Sequence, residues 1–309
     1  MSQQQKNYSE QGSYHKPVML LECIEGLDIK PNGHYVDVTF GGGGHSRAIL
    51  DKLGDDGLLY AFDQDNDAKR NLIEDNRFIF INDNFSTLKE NLRLYREFEV
   101  DGILADLGVS SHQIDCPDRG FSTRYDGELD MRMNQDQALS AKDIINSYPE
   151  DKLRSVLRLY GELPNAYQVA KKIVASRSEA INTTMELKEL LSSLAPRGIE
   201  NKFYAMVFQA LRIEVNNELE TLKMMLEQSG EMLKSGGRLV VMSYHSLEDR
   251  LVKNFIKSGN FEGKVEKDFY GNSLSPYTLI TRKPVIASDE EQALNTRSRS
   301  AKLRIAEKR

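Results

Sequence analysis

The sequence has little cysteine and no long apolar run, and each shortage excludes a class of protein. Only two cysteines, Cys23 and Cys116, occur among 309 residues, too few for a disulfide framework, which favours a reducing cytoplasm. No apolar run approaches the roughly 18 to 20 residues of a membrane span. The segment Met1–Tyr14 is polar and lacks the apolar core of a signal peptide. We therefore predict a cytoplasmic protein that does not enter a membrane.

Several catalytic motifs are also missing. No G-x-x-x-x-G-K-[ST] motif occurs, which excludes a P-loop hydrolase, and no G-x-S-x-G elbow presents an acyl-transfer serine. The five histidines lack metal-ligand spacing, and the H-x-E and P-C-x-x-C motifs of zinc deaminases are absent. We therefore predict no bound metal. The net charge of −6 argues against nonspecific binding to polyanions.

Strands and helices alternate over the first third of the sequence. Apolar runs with short connections predict strands at 35–40, 58–63, 78–82 and 101–106, a pattern typical of a parallel, doubly wound sheet. Residues 117–205 contain no convincing strand and are predicted to be helical. The α/β pattern then resumes with one long helix at about 202–233 and strands at 238–243 and 277–281. We predict a discontinuous α/β domain, 1–116 and 206–309, with an inserted helical substrate-recognition domain, 117–205.

Four glycines, Gly41 to Gly44, follow the first predicted strand and open a helix. Because glycine has no side chain, it lets the backbone approach a nucleotide-like ligand closely. Asp63, after the next strand, can accept hydrogen bonds from ribose hydroxyls. NAD, FAD and S-adenosylmethionine are all compatible with this turn. No glycine follows His45 at the third place of the dinucleotide motif. Asp37 is more typical of methyltransferases, where such an acid orients the methionine part of the cofactor. The pattern favours S-adenosylmethionine over a dinucleotide-dependent oxidoreductase.

Two polar clusters follow the strands at 101–106 and 238–243, at the sheet edge where open α/β folds bind ligands. Asp106 would lie beside both cofactor and substrate, or alternatively cap a turn. Ser110 and Ser111 can bond to a base edge, and Gln113 can hold the adenine or ribose side. In the second cluster Ser246 can simply cap a helix, a role that does not require its neighbour His245.

Eight motifs, in order, resemble the MraW/RsmH family over nearly the whole chain. They are H-x-P-V at 15–18, D-x-T-F-G-G-G-G-H-S at 37–46, D-L-G-V-S-S at 106–111, R-G-F-S at 119–122, L-D-M-R-M at 129–133, F-Q-A-L-R-I at 208–213, H-S-L-E-D-R at 245–250 and R-S-A-K-L-R at 299–304. One departure is Met206, which stands where many relatives have arginine, so a role of that position on RNA phosphate is in doubt.

The resemblance implies a fold, a reaction and a set of cofactor contacts. The fold is that of a class I S-adenosylmethionine-dependent methyltransferase with a Rossmann-like doubly wound sheet. The reaction methylates the N4 amine of a cytidine in the decoding region of bacterial 16S ribosomal RNA, within the small subunit, and the resemblance leaves a homodimer open. A fold-retaining ribosome-assembly factor without catalysis is the alternative. The residues matching the family's cofactor contacts are Gly43, Gly44, His45, Asp63, Phe85, Asp106 and Gln113.

The N4 amine is a poor nucleophile, because its lone pair is delocalised into the ring. Hydrogen-bond acceptors for the N–H groups of this amine would make its lone pair available. Holding the amine close to the methyl group would lower the activation barrier further. We predict that Asp106, with Ser110 or Ser111 and with His245, forms this catalytic cradle. Residues after Pro284 are predicted to order only on a partner, and the basic segment Arg297–Arg309 to contact RNA. Basic residues of the insert, among them Arg119 and Arg132, are predicted to grip RNA beside the cleft.

Overall fold

One seven-stranded sheet organises the molecule. The computed structural model describes residues 17–271 and 274–309, so Met1–Tyr14 and His15 of the first family motif lie outside the described residues. The strands are β1 His34–Asp37, β2 Leu58–Phe62, β3 Phe78–Ile81, β4 Val100–Asp106, β5 Leu233–Ser243, β6 Tyr277–Leu279 and β7 Lys302–Lys308. Their order is β3-β2-β1-β4-β5-β7-β6. The first five strands run parallel, whereas β7 is antiparallel to both β5 and β6.

Helices cover both faces of the sheet and build a separate helical unit. They are α1 Leu20–Leu27, α2 Gly44–Leu50, α3 Leu88–Leu94, α4 Ser111–Asp115, α5 Ala141–Ser147, α6 Glu150–Leu159, α7 Ala166–Ala175, α8 Thr184–Leu191, α9 Glu200–Asn216, α10 Glu218–Met232, α11 Ser246–Ser258 and α12 Asp289–Leu294. Apolar side chains of α3, α10 and α11 share one buried core with the sheet, and those of α1 and α2 share another. The predicted doubly wound α/β sheet is therefore confirmed.

The C-terminal segment is part of the sheet, so the prediction that it orders only on a partner is wrong. Strand β7 lies between β5 and β6 and pairs with both. Its apolar residues Leu303 and Ile305 are buried in the core beside α1. Arg304, between them, is also buried, and its Nε donates to Asp249 Oδ1 at 2.7 Å. Pairing with Asp249 lets the charged side chain of Arg304 occupy a buried position in the strand.

The predicted long helix at about 202–233 is in fact two helices. Asn217 separates α9 from α10 with a left-handed backbone, φ 50° and ψ 36°, a conformation that asparagine tolerates better than most residues. Across the break, Arg212 donates through Nε and Nη2 to Glu218 at 2.8 and 2.9 Å. The break turns the chain from the helical unit back to the sheet.

The helical unit has its own core, built by α5 to α9 and by the segment that precedes them. Its buried members run from Leu129 to Val215 and include Val207 and Leu211 of α9. We propose that the substrate-recognition domain extends through α9 to Asn216, beyond the 205 predicted from the sequence. Within the described residues, no helix is both long and apolar enough to span a membrane.

Candidate active site

The glycine turn connects β1 to α2 and is held by Asp37. The Oδ1 atom of this buried carboxylate accepts the Thr39 backbone N–H at 3.0 Å, and its Oδ2 accepts the Ser46 hydroxyl at 2.7 Å. Thr39 Oγ1 in turn accepts the Asp106 backbone N–H at 2.7 Å. Asp37 thus fixes the turn relative to α2 and, through Thr39, to the end of β4. Its predicted contact with the methionine part of the cofactor stays a prediction.

Glycine is required in this turn by the protein's own packing. Gly43 has φ +74°, and a Cβ there would lie 3.0 Å from the Phe40 ring. A Cβ on Gly44 would lie 2.1 Å from Pro17 Cγ, an impossible contact without movement of the chain. These two glycines therefore let the turn close against its neighbours, which leaves backbone rather than side chains at the start of α2.

Asp63 follows β2 and faces the same turn. Its Oδ2 accepts the Gly41 N–H at 2.7 Å and its Oδ1 accepts the Asp65 N–H at 2.8 Å. Burial raises the pKa of Asp63 to about 7, against the lowering effect of these two hydrogen bonds. Each oxygen keeps a further lone pair. The carboxylate therefore has free lone pairs that could accept hydrogen bonds from two ribose hydroxyls, and its cofactor contact stays a prediction.

A cavity joins the ends of β1, β2 and β4 to the start of α10 and α11. Its lining includes Phe85, which packs on the sheet core and presents an apolar surface, and Gly108, whose φ is +91°. The other lining residues are Thr39, Gln64, Leu107, Met133, Asn216, Glu218, Thr221, Leu222 and Glu248. Phe85, which is a predicted cofactor residue, and the carboxylates of Glu218 and Glu248 thus line one cavity.

Asp106 ends β4, and its carboxylate has two neighbours that sequence reasoning did not connect with it. Tyr244 donates its hydroxyl to Oδ1 at 2.6 Å, and His45 Nδ1 lies 3.7 Å from Oδ2. Burial raises the pKa of Asp106 to about 6, although His45 and Tyr244 lower it. Tyr244 stands next to His245 in the sequence, but nothing in the residue pattern indicated that its hydroxyl turns toward β4.

Ser110, Ser111 and Gln113 lie on the first turn of α4 and all have protein partners. Ser110 Oγ accepts the Gln113 N–H at 3.2 Å, and Gln113 Oε1 accepts the Ser110 N–H at 3.0 Å, forming a capping box. Gln113 Nε2 donates to Asp65 at 2.8 Å, and Ser111 Oγ accepts from Arg297. The structure thus brings Gln113 to the loop after Asp63. The catalytic roles of the two serines stay predictions.

His245 caps α11, so the capping role predicted for Ser246 is wrong. His245 also lies beside two glutamates that were not predicted as site residues. His245 Nε2 lies 3.2 Å from Glu248 Oε1, and ligand atoms of Glu218, His245 and Glu248 all lie within 4.8 Å of one another. Although burial raises the pKa of Glu248, His245 and Arg212 hold it below its usual value. Glu218 was hidden from sequence reasoning because it follows the helix break at Asn217.

Several basic residues predicted to contact RNA are used inside the protein. Arg119 is 7% exposed, and its Nη1 lies 2.9 Å from both Asp65 and Asp67, while its Nη2 donates to the carbonyls of Arg132 and Met133. Arg132 forms a bidentate ion pair with Asp130. The predicted RNA grip by Arg119 is therefore wrong, since its side chain ties the helical unit to the loop after β2. The RNA contact predicted for Arg132, whose aspartate partner lies within the helical unit, stays a prediction. In the C-terminal segment Arg297, Lys302 and Arg304 are likewise paired with carboxylates.

The site residues fit S-adenosylmethionine. Asp63 offers free acceptor capacity for a ribose, Phe85 offers an apolar face for a purine, and the glycine turn carries no side chain that would block the methionine part. Dinucleotide-binding sheets of this type run 3-2-1-4-5-6, whereas here an antiparallel β7 separates β5 from β6. The fold and the site together define a class I S-adenosylmethionine-dependent methyltransferase.

The MraW methylase family model matches residues 12–309, and the chain belongs to this family. It is 57% identical over 296 residues to the ribosomal RNA small subunit methyltransferase H of Flavobacterium johnsoniae, covering 96% of this chain and 98% of that protein. It is 58% identical over 299 residues to the methyltransferase of the same name from Cytophaga hutchinsonii, covering 96% and 99%. A putative methyltransferase from Streptococcus mutans, solved with SAH, shares 15% identity at a TM-score of 0.44 and covers 96% of this chain and 100% of that chain.

Proposed function

We propose that this methyltransferase transfers the methyl group of S-adenosylmethionine to the N4 amine of a cytidine in the decoding region of 16S ribosomal RNA, in the cytoplasm. Support comes from relatives above 50% identity that are named for the small-subunit RNA. The single observation that carries the chemistry is the shared cavity, which brings two carboxylates against the cofactor-side residues.

The residues divide into cofactor holders and acceptor holders. Asp63 and Phe85 hold the nucleoside part of the cofactor, and the turn fixed by Asp37 holds its methionine part. When bound, the cofactor supplies a methyl group already activated by the sulfonium, so the protein need only position the amine in line with it. The N4 lone pair forms the new N–C bond as the C–S bond breaks, and one N4 proton leaves.

Asp106 lies between the two groups of residues. Its carboxylate, hydrogen-bonded by Tyr244, faces His45 at the start of α2. We infer that ionised Asp106 orients the reacting ends of cofactor and acceptor. The helical unit, tied to the cofactor loop by Arg119, holds the RNA with the target base turned out of its stack.

Methyl transfer to defined RNA tests this function. The purified protein is incubated with methyl-labelled S-adenosylmethionine and either small subunits or free 16S RNA from cells that lack the methylase. The labelled nucleoside is then mapped by mass spectrometry. We expect N4-methylcytidine at one position, and a Gly43→Ala variant serves as the cofactor-site control.

Three outcomes would contradict the proposal. Label on a different base or atom would change the acceptor. Binding to the subunit without transfer, at saturating cofactor, would favour the assembly factor without catalysis. An increase in Tm with NADH but not with S-adenosylhomocysteine would reinstate the oxidoreductase.

A further inference from the structure

The start of α11 presents an unused hydrogen-bond acceptor beside an unused donor. Glu248 Oε2 accepts the backbone N–H groups of Tyr244 and His245 at 2.9 and 3.3 Å, as the second half of the α11 capping box. Glu248 Oε1 is held by neither of these backbone groups and has His245 Nε2 as a neighbour at 3.2 Å. Glu248 lines the site cavity.

The donor is the Nε2–H group of His245. Its Nδ1 accepts the Glu248 backbone N–H at 3.4 Å, which leaves the ring proton on Nε2. The side chain is 8% exposed, and over residues 17–271 and 274–309 Nε2 is one of four buried side-chain atoms without an aligned hydrogen-bond partner. A buried donor without a partner is costly and calls for an explanation. An acceptor on a bound ligand supplies one.

Arg212 fixes Glu218, the other carboxylate that lines the cavity. It is bound to both oxygens of Glu218, so this second carboxylate is fixed and its charge is neutralised. Glu218 lies within 4.8 Å of the other two ligand atoms. The cavity is therefore lined by Glu248, whose Oε1 no backbone group holds, and by the fixed Glu218. The His245 ring N–H lies directly beside this lining, 3.2 Å from Glu248 Oε1.

We propose that Glu248 and His245 read the Watson–Crick edge of the target cytosine, Glu248 Oε1 accepting an N–H of the N4 amine and His245 Nε2 donating to ring nitrogen N3. This inference rests on the proposed function and names the residues that select its base. Cytosine presents a donor at position 4 and an acceptor at position 3. Uracil presents the reverse, so both contacts would oppose it. A site built for one pattern rejects the other strongly, because its buried groups are left unpaired.

The same three side chains have the spacing of a cation site. Arg212 argues against that reading, since a guanidinium that occupies both oxygens of Glu218 opposes a second positive charge beside them. A base edge needs no added charge and uses the donor that a metal ion would displace. The experiment includes a chelator to separate the two.

A cycle of variant and substrate analogue tests the inference. Small subunits are reconstituted with cytidine or 3-deazacytidine, which lacks the N3 acceptor, at the mapped target. They are assayed with wild-type protein and with His245→Asn, which keeps a cap for α11. We expect kcat/KM to fall roughly 10- to 100-fold for the wild type on the analogue and for the variant on cytidine. On the analogue, the kcat/KM of the variant should then equal that of the wild type.

A second variant tests the proposed hydrogen-bond acceptor, Glu248 Oε1. In Glu248→Gln one oxygen still accepts the backbone N–H groups, while an amide donor replaces the free oxygen. We expect a similar loss of kcat/KM on cytidine, with the Kd for S-adenosylhomocysteine and the Tm both near wild type. Lys253→Ala, an exposed position on the same helix, is the matched control and should match the wild type in all three measurements.

The outcomes separate this inference from the proposed function. If the wild type does not methylate N4 at all, both fail. If it methylates N4 but the losses from analogue and variant multiply, or either is absent, only the inference is overturned. Activity that EDTA abolishes and Zn²⁺ restores would also overturn it, because His245 Nε2 would then be a metal ligand.

Discussion

Replacing Tyr244 with phenylalanine tests the link between the hydroxyl of this residue and Asp106. The hydroxyl donates to Asp106 Oδ1 at 2.6 Å, the length of a hydrogen bond to an ionised acceptor. Such a bond contributes about 1.5 to 3 kcal/mol when the acceptor is charged, but only about 0.5 to 1.5 kcal/mol when it is neutral. The variant removes the hydroxyl and leaves the ring, so the effect should depend on the charge of Asp106.

The hydrogen bond is therefore stronger by about 1 to 1.5 kcal/mol when Asp106 is ionised than when it is neutral. At roughly 1.36 kcal/mol per unit, losing it should shift the pKa of Asp106 by about one unit. The pKa of Asp106 is raised from 3.8 to about 6 in the folded protein. Ionising Asp106 therefore lowers the stability of the folded state as the pH rises through that interval. In Tyr244→Phe the pKa rises further, to about one unit higher, so the loss of stability continues to a higher pH.

Urea unfolding at pH 5 and pH 8 measures this. We expect the free energy of unfolding to drop by about 0.5 to 1.5 kcal/mol at pH 5 and by about 1.5 to 3 kcal/mol at pH 8. The control is Tyr277→Phe, whose hydroxyl pairs with that of Ser229 at 3.0 Å and should show the same drop at both pH values. An equal drop for Tyr244→Phe at both pH values would refute the coupling to Asp106.

Three further predictions concern the cofactor turn and the C-terminal strand. The pKa of Asp63 is about 7, and the ionised carboxylate is the stronger acceptor for ribose hydroxyls. The affinity for S-adenosylhomocysteine, measured by calorimetry, should therefore rise from pH 6 to pH 8, and Asp63→Asn should abolish this rise. Gly43→Ala should lower the free energy of unfolding by about 1 to 2 kcal/mol, since φ is +74° there; a Tm equal to wild type would contradict this. Arg304→Met should destabilise the fold by about 1.5 to 3 kcal/mol in urea, because Asp249 loses its closer charged partner and keeps only Lys302, whereas exposed Arg299→Ala should change it by less than about 0.5 kcal/mol.

The parallel strands and the site at their carboxyl ends could be predicted because both depend on local pattern. A strand buried on both faces is an apolar run, and a glycine turn between strand and helix is a short, continuous signal. Asp37 and Asp106 end such strands and Asp63 directly follows one, so their meeting at one sheet edge follows from strand direction alone.

Strand β7 and the helix break could not be predicted, because each depends on a distant partner. Arg304 is buried only because Asp249 lies opposite it, and no local pattern indicates that pairing. Asn217 interrupts an otherwise helical run, and Arg212 stabilises the interruption from the preceding helix through Glu218. Arg119 was assigned to RNA for the same reason, since its partners Asp65 and Asp67 are distant in the sequence.

The helix break also explains how the helical unit can govern the acceptor side of the site. Asn216, the last residue of α9, accepts the Met133 N–H at 2.7 Å and donates to the Met131 carbonyl at 2.8 Å. Glu218, two residues later, begins α10 and lines the cavity. Because one short segment is fixed to the helical core on one side and to the sheet on the other, a shift of the helical unit would move Glu218 relative to Glu248. The position of the helical unit and the geometry of the cavity wall at Glu218 and Glu248 are therefore expected to change together.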